Sequence, residues 1–176
     1  GEHEGVPYVA MRFLPGGSLA NRRLHNAEGQ PAANPPGMLH LWLPQIAEAL
    51  DHVHGLGIVH RDVKPENIFF DARWGAFLGD FGIAKVVAES ERFSRDQTLT
   101  ATSMAIGTQQ YMAPEQFQPK ADVNGRTDQY ALAVTVYEVL SGERRFRGET
   151  ANLIVEIMTT PATSLAVRQP KLPRSL

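Results

Sequence analysis

A polar octapeptide at residues 60–67, which lies between two short apolar runs, constrains this chain more than any other feature. It reads His-Arg-Asp-Val-Lys-Pro-Glu-Asn, so five kinds of polar group fall within eight positions. Pro65 prevents a regular helix through it. Because residues 58–59 and 68–70 are apolar, we expect this segment, called the polar loop below, to be fixed at both ends and to direct its side chains into one cleft. The alternative interpretation is a charged surface turn.

Composition restricts the classes of protein to which the chain can belong. With 176 residues, 43% of them hydrophobic and 20% charged, the chain can form one soluble domain with a core. The formal net charge of −2 gives no overall electrostatic argument for binding nucleic acid or an anionic membrane. The absence of cysteine excludes disulfides and thiolate metal sites and fits a reducing compartment. No apolar run approaches the roughly 20 residues that span a bilayer.

The first half of the chain alternates predicted helices with extended and turn-rich segments. Apolar residues spaced by three and four predict an amphipathic helix from Leu39 to Leu56, with Trp42 in the core. The remaining expectations are a strand at Val6–Phe13 that ends at Pro15-Gly16-Gly17, a short helix from Ser18 to Leu24, and an exposed insertion or linker at 26–37.

The second half combines a predicted hairpin with a long loop and buried helices. Two short strands are expected at 68–70 and 76–78, and periodicity fails from Ile83 to Gln110. The apolar run 130–140, which Ser141-Gly142 ends, predicts a helix that is buried on most sides. Another helix is expected over 150–158, followed by a tail without a clear pattern. The resulting fold class is α+β.

Two further motifs follow the polar loop. Asp80-Phe81-Gly82 lies 18 positions after Asp62, and Ala113-Pro114-Glu115 comes later in the chain. In this order and spacing, the polar loop and the two tripeptides resemble the catalytic loop, the metal-binding Asp-Phe-Gly and the Ala-Pro-Glu of protein kinases. The sequence around Gly107–Gln116 resembles the eukaryotic-like serine/threonine kinases of bacteria. The resemblance covers nearly the whole chain.

This resemblance implies a protein-kinase-like fold with a mainly helical large lobe. Residues 1–14 would be a remnant of the small lobe and the hinge, with only the last strand or strands of that lobe. Residues 15–176 would be the large lobe, incomplete at its C-terminal end. Asp128, which begins the buried helix, resembles the aspartate that anchors the catalytic loop from below.

The resemblance also assigns roles for transfer of the γ-phosphoryl group of ATP. Asp62 would accept or orient the proton of the attacking hydroxyl, and Lys64 would hold the transferred group. Asn67 and Asp80 would bind Mg²⁺, with Mn²⁺ as the alternative ion. His60 would be a packing residue against Phe81. The residues expected to contact ATP are Met11, Arg12, Leu14, Lys64, Asn67 and Asp80, with Arg12 standing where the family more often has Glu.

Substrate class and regulation follow from the same resemblance. Lys64 and Thr108, the latter as a substrate-positioning residue, favour protein substrates with Ser or Thr acceptors. Arg61 would pair with phosphate on the activation loop, at the expected autophosphorylation sites Thr100 and Thr102. Self-association for autophosphorylation between two molecules is an expected partner interaction. The expected location is cytoplasmic, as in the cytoplasmic domain of a membrane-anchored receptor-like kinase.

Parts of a complete kinase are not recognisable in the sequence. The glycine-rich loop and the lysine–glutamate pair of the small lobe are missing, and Glu115 has no arginine at the position that pairs with it in the family. We therefore expect an incomplete piece that binds ATP weakly and turns over poorly. A catalytically dead scaffold is the main alternative, and a small-molecule kinase is another. Metal binding by His52, His54 and His60 is disfavoured because the first two point in different directions on a helix.

Overall fold

Helices dominate the computed structural model, which describes residues 1–4, 6–8, 10–81, 108–118, 121–146, 150–170 and 172. The strands are short and form two antiparallel pairs. The helices are α1 (Leu43–Gly55), α2 (Gly125–Ser141), α3 (Thr150–Thr159) and α4 (Leu165–Arg168). The strands are β1 (Glu2–His3), β2 (Val6–Pro7), β3 (Ile68–Phe70) and β4 (Ala76–Leu78). Short 3₁₀ turns lie at Pro36–Leu41, Pro65–Asn67, Thr108–Tyr111 and Pro114–Phe117.

The predicted helix after the linker is confirmed as α1, with a later start. A 3₁₀ turn occupies Pro36–Leu41, and the backbone leaves helical geometry at Trp42, whose side chain is only 1% exposed. Pro44 lies in the first turn of α1, where its missing N–H is tolerated. Gly57 takes a left-handed conformation with φ of 75° and donates to His54 O at 2.9 Å, which ends the helix.

Strands β3 and β4 form the predicted hairpin beside the polar loop. Phe69 pairs with Phe77 at the centre of the register. Asp71 closes the turn, since its Oδ1 accepts the N–H groups of Arg73 and Gly75, each at 2.8 Å. These two backbone hydrogen bonds lower the pKa of the Asp71 carboxyl. The hairpin carries the chain from the polar loop directly to Asp80.

Helix α2 is the buried helix predicted from the apolar run. It begins at an Asn124 cap whose side chain accepts the N–H of Arg126 at 3.0 Å and ends at Gly142, which has φ of 74°. Helix α2 contributes to a core whose members also come from the polar loop, α1, the hairpin and nearby turns. The main buried members are Leu19, Leu39, Trp42, Ile46, Leu50, Val63, Ile68, Phe70, Tyr111, Ala131, Val134, Val139 and Leu140.

Two predictions for the N-terminal region are wrong. The strand expected at Val6–Phe13 is limited to Val6–Pro7, because residues 10–14 pair with no strand in the described part of the chain, and a strand requires a hydrogen-bonded partner. The helix expected at Ser18–Leu24 is a series of turns. Backbone bonds from Leu19 N–H to Ile68 O and from Phe70 N–H to Gly17 O pair this segment with β3 instead.

Other differences are smaller. The 26–37 segment is mostly exposed, as expected, but Asn34 is only 3% exposed and donates its N–H to Val139 O at 2.9 Å, so the segment is anchored on α2. Helix α3 confirms the helix expected at 150–158. The tail contains the short helix α4, which Ser164 caps. Within the described residues, no helix is long and apolar enough to cross a membrane.

Candidate active site

Asp128 holds the start of the polar loop. Its carboxylate is completely buried and accepts the backbone N–H groups of His60 and Arg61, both at 2.7 Å. His54 Nε2 lies 2.8 Å from the same carboxylate. Arg61 has φ of 65°, a left-handed backbone conformation that is strained for any residue other than glycine. The hydrogen bonds from Asp128 fix this backbone and so determine where the next residue, Asp62, projects.

His60 connects the polar loop to the Asp-Phe-Gly motif. Its ring is buried, with Nε2 at 3.0 Å from Gly79 O and Nδ1 accepting the Asp62 N–H at 3.3 Å. These partners require a neutral imidazole that carries its proton on Nε2. The ring centroid of Phe81 lies 4.5 Å away, which confirms the predicted packing contact. His60 therefore positions both sides of the cleft.

Asp62, Lys64 and Asn67 converge on one point. Lys64 Nζ lies 2.9 Å from Asp62 Oδ2, and Asn67 Nδ2 donates to the same oxygen at 3.1 Å and to Asp62 O at 2.8 Å. The side chains of Asp62 and Lys64 are 13% and 17% exposed. A fixed carboxylate with a neighbouring ammonium and a route to solvent can orient a hydroxyl and attract an anionic group.

Asp80 and Asn67 fit the chemistry of a magnesium site. The Gly79 N–H donates to Asn67 O at 2.9 Å, so Asp80 directly follows a residue bonded to Asn67. Asp80 is exposed, and its backbone is in the left-handed conformation with φ of 55°. Mg²⁺ is commonly held by one or two carboxylates with phosphate and water oxygens. Asn67 and Asp80 supply oxygen ligands of this kind, and their role in binding Mg²⁺ stays a prediction.

The structure places the predicted adenine-binding residues at the surface. Met11 is 67% exposed, and Arg12 lies with its guanidinium carbon 5.5 Å from the centroid of the Phe77 ring. The Leu14 carbonyl accepts a long bond of 3.4 Å from Gly17 N–H. Arg12 thus lies beside β4 and the hairpin that leads to Asp80. The nucleotide roles of Met11, Arg12 and Leu14 stay predictions.

The predicted regulatory residues are only partly described. Thr100 and Thr102 lie outside the described residues, as does most of the predicted loop from Ile83 to Gln110. The backbone of Thr108 begins a 3₁₀ turn. Arg61 is half-buried beside Asp62. Roles for Arg61 in phosphate binding and for Thr108 in substrate positioning stay predictions.

The Ala-Pro-Glu motif leads into a 3₁₀ turn that packs on α3 and is hydrogen-bonded to α2. Glu115 is half-buried, and its Oε1 accepts a hydrogen bond of 2.7 Å from the Thr127 hydroxyl. The partner shown for Glu115 is thus a hydroxyl, and the lack of the family's arginine partner stays a prediction. The next residue, Gln116, accepts the Ala113 N–H at 2.9 Å through Oε1.

A buried charge network was missed in the sequence. Glu138 on α2 is 1% exposed and lies 2.5 Å from Arg23 Nη1 and 3.6 Å from Arg144 Nε. It also accepts the hydroxyl hydrogen bond of Tyr111. The available signal was an acidic residue within the apolar run of α2. Its partners could not be identified because Arg23 is 115 positions away.

Comparisons with known proteins agree with this geometry. A family model described as the protein kinase domain matches residues 2–174. The chain is 40% identical over 155 residues to the serine/threonine-protein kinase PknD of Mycobacterium tuberculosis. The aligned region covers 88% of the chain and 21% of that protein. It is 36% identical over 145 residues to the serine/threonine-protein kinase PknB of Mycobacterium leprae, covering 82% and 21%.

A third relative extends the similarity to almost the full chain. The serine/threonine-protein kinase PknH of Mycobacterium bovis is 34% identical over 176 residues, which cover 99% of the chain and 27% of that protein. The chain thus spans about a fifth to a quarter of the length of these curated relatives. The family match, the three motifs and the anchored polar loop lead to one assignment: this chain belongs to the protein kinase family.

Proposed function

We propose that this protein transfers the γ-phosphoryl group of ATP to Ser or Thr hydroxyls of protein substrates. The observation that carries the proposal is the Asp62 carboxylate, which contacts Lys64 Nζ at 2.9 Å and Asn67 Nδ2 at 3.1 Å in a loop clamped by buried Asp128. The names of the relatives PknD, PknB and PknH support the choice of acceptor. Catalysis of this reaction depends mainly on positioning and electrostatic stabilisation.

Each of the predicted site residues would have its own role in phosphoryl transfer. The substrate hydroxyl oxygen attacks the γ-phosphorus while the bond to the bridging oxygen of ADP breaks, and Asp62 accepts the hydroxyl proton. When the negatively charged triphosphate of ATP binds, Lys64 moves from its contact with Asp62 toward the γ-phosphoryl group. Asn67 and Asp80 would hold Mg²⁺, which supplies neutralisation of phosphate charge when it is bound. Met11, Arg12 and Leu14 would contact the adenine.

The test of this function uses the full-length protein with the Asp62→Asn variant. We expect phosphorylation of a protein substrate to fall by at least about 100-fold, the typical size of a general-base contribution, while ATP affinity stays within about twofold because Asp62 does not hold the nucleotide. Asp51→Asn, an exposed aspartate on α1, is the control. Turnover by Asp62→Asn at the wild-type rate would refute the proposal.

We further propose that the protein is activated by autophosphorylation at Thr100 and Thr102, with Arg61 binding the phosphate. Arg61 supports this idea through its position, since it directly precedes Asp62 and its backbone is fixed by Asp128. A guanidinium matches the geometry of a phosphate. The double variant Thr100→Ala/Thr102→Ala of the full-length protein should lose most of its activity and its concentration-dependent autophosphorylation. Thr98→Ala is the control, and unchanged activity of the double variant would contradict the idea.

Domain division and location belong to the same proposal. Residues 1–14 would be the end of the small lobe and the hinge, and residues 15–176 would belong to the large lobe. The separate pairing of β1 with β2 and the core that begins at Leu19 support a boundary in this region. The use of ATP supports a cytoplasmic location. The four residues expected for transfer, Asp62, Lys64, Asn67 and Asp80, are all present, which argues against a scaffold without catalysis.

A further inference from the structure

Gln116 links the end of the Ala-Pro-Glu turn to the polar loop. Its side chain is half-buried, and both the oxygen and the nitrogen of its carboxamide form hydrogen bonds. Oε1 accepts the Ala113 N–H at 2.9 Å, and Nε2 donates to the Arg61 carbonyl at 3.4 Å. At 3.4 Å the second bond is longer than the roughly 2.7–3.2 Å of a usual N–H···O hydrogen bond, so it is a weak contact. One side chain therefore connects two segments that are 55 positions apart in the sequence.

The Arg61 carbonyl is a sensitive place for such a bond. Arg61 has the left-handed φ of 65°, and its N–H is already fixed by Asp128 at 2.7 Å. With Gln116 on the carbonyl, both polar backbone groups of Arg61 have a partner. The peptide that follows is that of Asp62, so a rotation of the Arg61 carbonyl would turn the Asp62 carboxylate.

The turn that carries Gln116 is itself fixed on the helices. Glu115 accepts the Thr127 hydroxyl at 2.7 Å, which joins the turn to the first turn of α2. Phe117 packs against the buried cluster Phe146, Leu153 and Ile157, which joins it to α3. Gln116 therefore extends from a rigid support, and a rigid support is what an orienting hydrogen bond requires.

We propose that Gln116 is a positioning residue that orients Asp62 through the Arg61 carbonyl and so couples the Ala-Pro-Glu turn to the polar loop. The inference rests on the proposed function for its effect on turnover, but the contact itself does not depend on that function. Displacement of the Ala113 end of the turn would release the Arg61 carbonyl and loosen Asp62. Ordering of that end would restore the geometry.

The kinetic test compares Gln116→Ala and Gln116→Glu in the full-length protein, with Gln118→Ala, an exposed neighbour, as the matched control. Gln116→Ala removes both hydrogen bonds of the carboxamide. Loss of the one to the Arg61 carbonyl should lower kcat by about 3- to 10-fold, with KM for ATP within about twofold. Loss of the one to the Ala113 N–H should lower Tm by no more than about 4 °C. Gln116→Glu keeps the acceptor for Ala113 but places a carboxylate oxygen against the Arg61 carbonyl, so its kcat should be lower still.

A second readout is independent of activity. Amide hydrogen exchange over residues 60–64 should be several-fold faster in Gln116→Ala and unchanged in Gln118→Ala. Faster exchange together with a selective fall in kcat supports the proposal. Unchanged exchange, unchanged kcat, or a uniform rise in exchange with a large fall in Tm would overturn it. If the wild-type protein itself lacks turnover, the proposed function fails, and exchange alone decides whether Gln116 positions the loop.

Discussion

Tyr111 shows how one buried hydroxyl determines local stability. Its side chain is 5% exposed, and its hydroxyl donates to Glu138. Burial, followed by the charge of Glu138, raises the pKa of Tyr111 well above its ordinary value of 10.0. A raised pKa means that the folded protein prefers the protonated phenol. The resulting stability is fully present below about pH 10 and decreases as the pH rises above that value.

The Tyr111→Phe variant tests this reading. At pH 7 the free energy of unfolding should fall by about 1–3 kcal/mol, because Glu138 loses a hydrogen-bond donor in a buried site. Between pH 9 and about pH 11 the variant should lose less further stability than the wild type, since it has no phenol to ionise. Urea denaturation at both ends of this range measures the difference. Tyr8→Phe, at a 54% exposed site, is the control, and an equal effect there would contradict the assignment.

At the same scale, the sequence identified the cleft and its nearest supports, His60 and Asp128, but not the network around Glu138. Asp62, Lys64 and Asn67 lie within six positions, so a motif alone could predict that they meet. His60 could be assigned to packing because an aromatic residue follows Asp80. Glu138 could not be interpreted, since its Arg23 partner is distant in the sequence and only the packing of α2 brings the two together.

At the scale of elements, the C-terminal end of α2 depends on one glycine. Gly142 has φ of 74°, and a Cβ added there would lie 2.6 Å from the backbone of Ala32 and Ala33. Gly57, at the end of α1, has a similar φ of 75° but no atom within 4 Å of such a Cβ. The two glycines therefore share a conformational requirement and differ only in crowding.

This pair allows a matched comparison. Gly57→Ala should lower the free energy of unfolding by about 1 kcal/mol, the penalty of a left-handed alanine. Gly142→Ala should lower the free energy of unfolding by about 2–4 kcal/mol, because overpacking against the backbone adds to that penalty. Urea denaturation of both variants measures the two effects. Equal losses would show that the contact between α2 and residues 32–33 is not tight.

The turn between β3 and β4 should lose stability at acidic pH. The Arg73 and Gly75 N–H groups lower the pKa of Asp71, so its charged form stabilises the turn above the pKa of the unfolded chain, and this stability is lost as the pH falls through the folded pKa. Asp71→Asn should keep the turn but remove its acid sensitivity. The amide chemical shifts of residues 73 and 75, followed by NMR from pH 7 to about pH 3, measure this. A pH-dependent change of equal size in the variant would contradict the role of Asp71.

Elements were predictable where the determining interactions are local. The hairpin at 68–78 follows from its turn and two apolar runs, and α2 follows from hydrophobicity and a terminal glycine. The expected strand at Val6–Phe13 has equally suitable residues, but strand formation depends on a partner that local sequence does not specify. The helix predicted from Ser18 does not form for a related reason, since the backbone of this segment pairs with the edge of β3.

At the scale of the whole molecule, Glu138 joins segments that are far apart in the chain. Arg23 belongs to the turns after the predicted hinge, Tyr111 to the 3₁₀ turn before the Ala-Pro-Glu motif, and Glu138 to the central helix α2. The Arg23–Glu138 pair is nearly excluded from water, with side chains 11% and 1% exposed. A buried pair of this kind contributes little net stability when intact, but removal of one member leaves an uncompensated charge.

This asymmetry gives the final prediction. Glu138→Gln should lower the free energy of unfolding by about 3–5 kcal/mol, a large part of the 5–15 kcal/mol typical of a domain, because Arg23 keeps its charge in a buried place. Arg23→Met/Glu138→Met removes both charges, so its loss should be well below the sum of the two single losses. Arg168→Met, which breaks the exposed pair with Glu143, should lower stability by less than about 1 kcal/mol. Urea denaturation of these three variants and of the single variants Arg23→Met and Glu138→Met, at constant pH, gives the coupling energy. If the single and double losses are additive, Arg23 and Glu138 act separately, and this pair does not join the turns around Arg23 to the core.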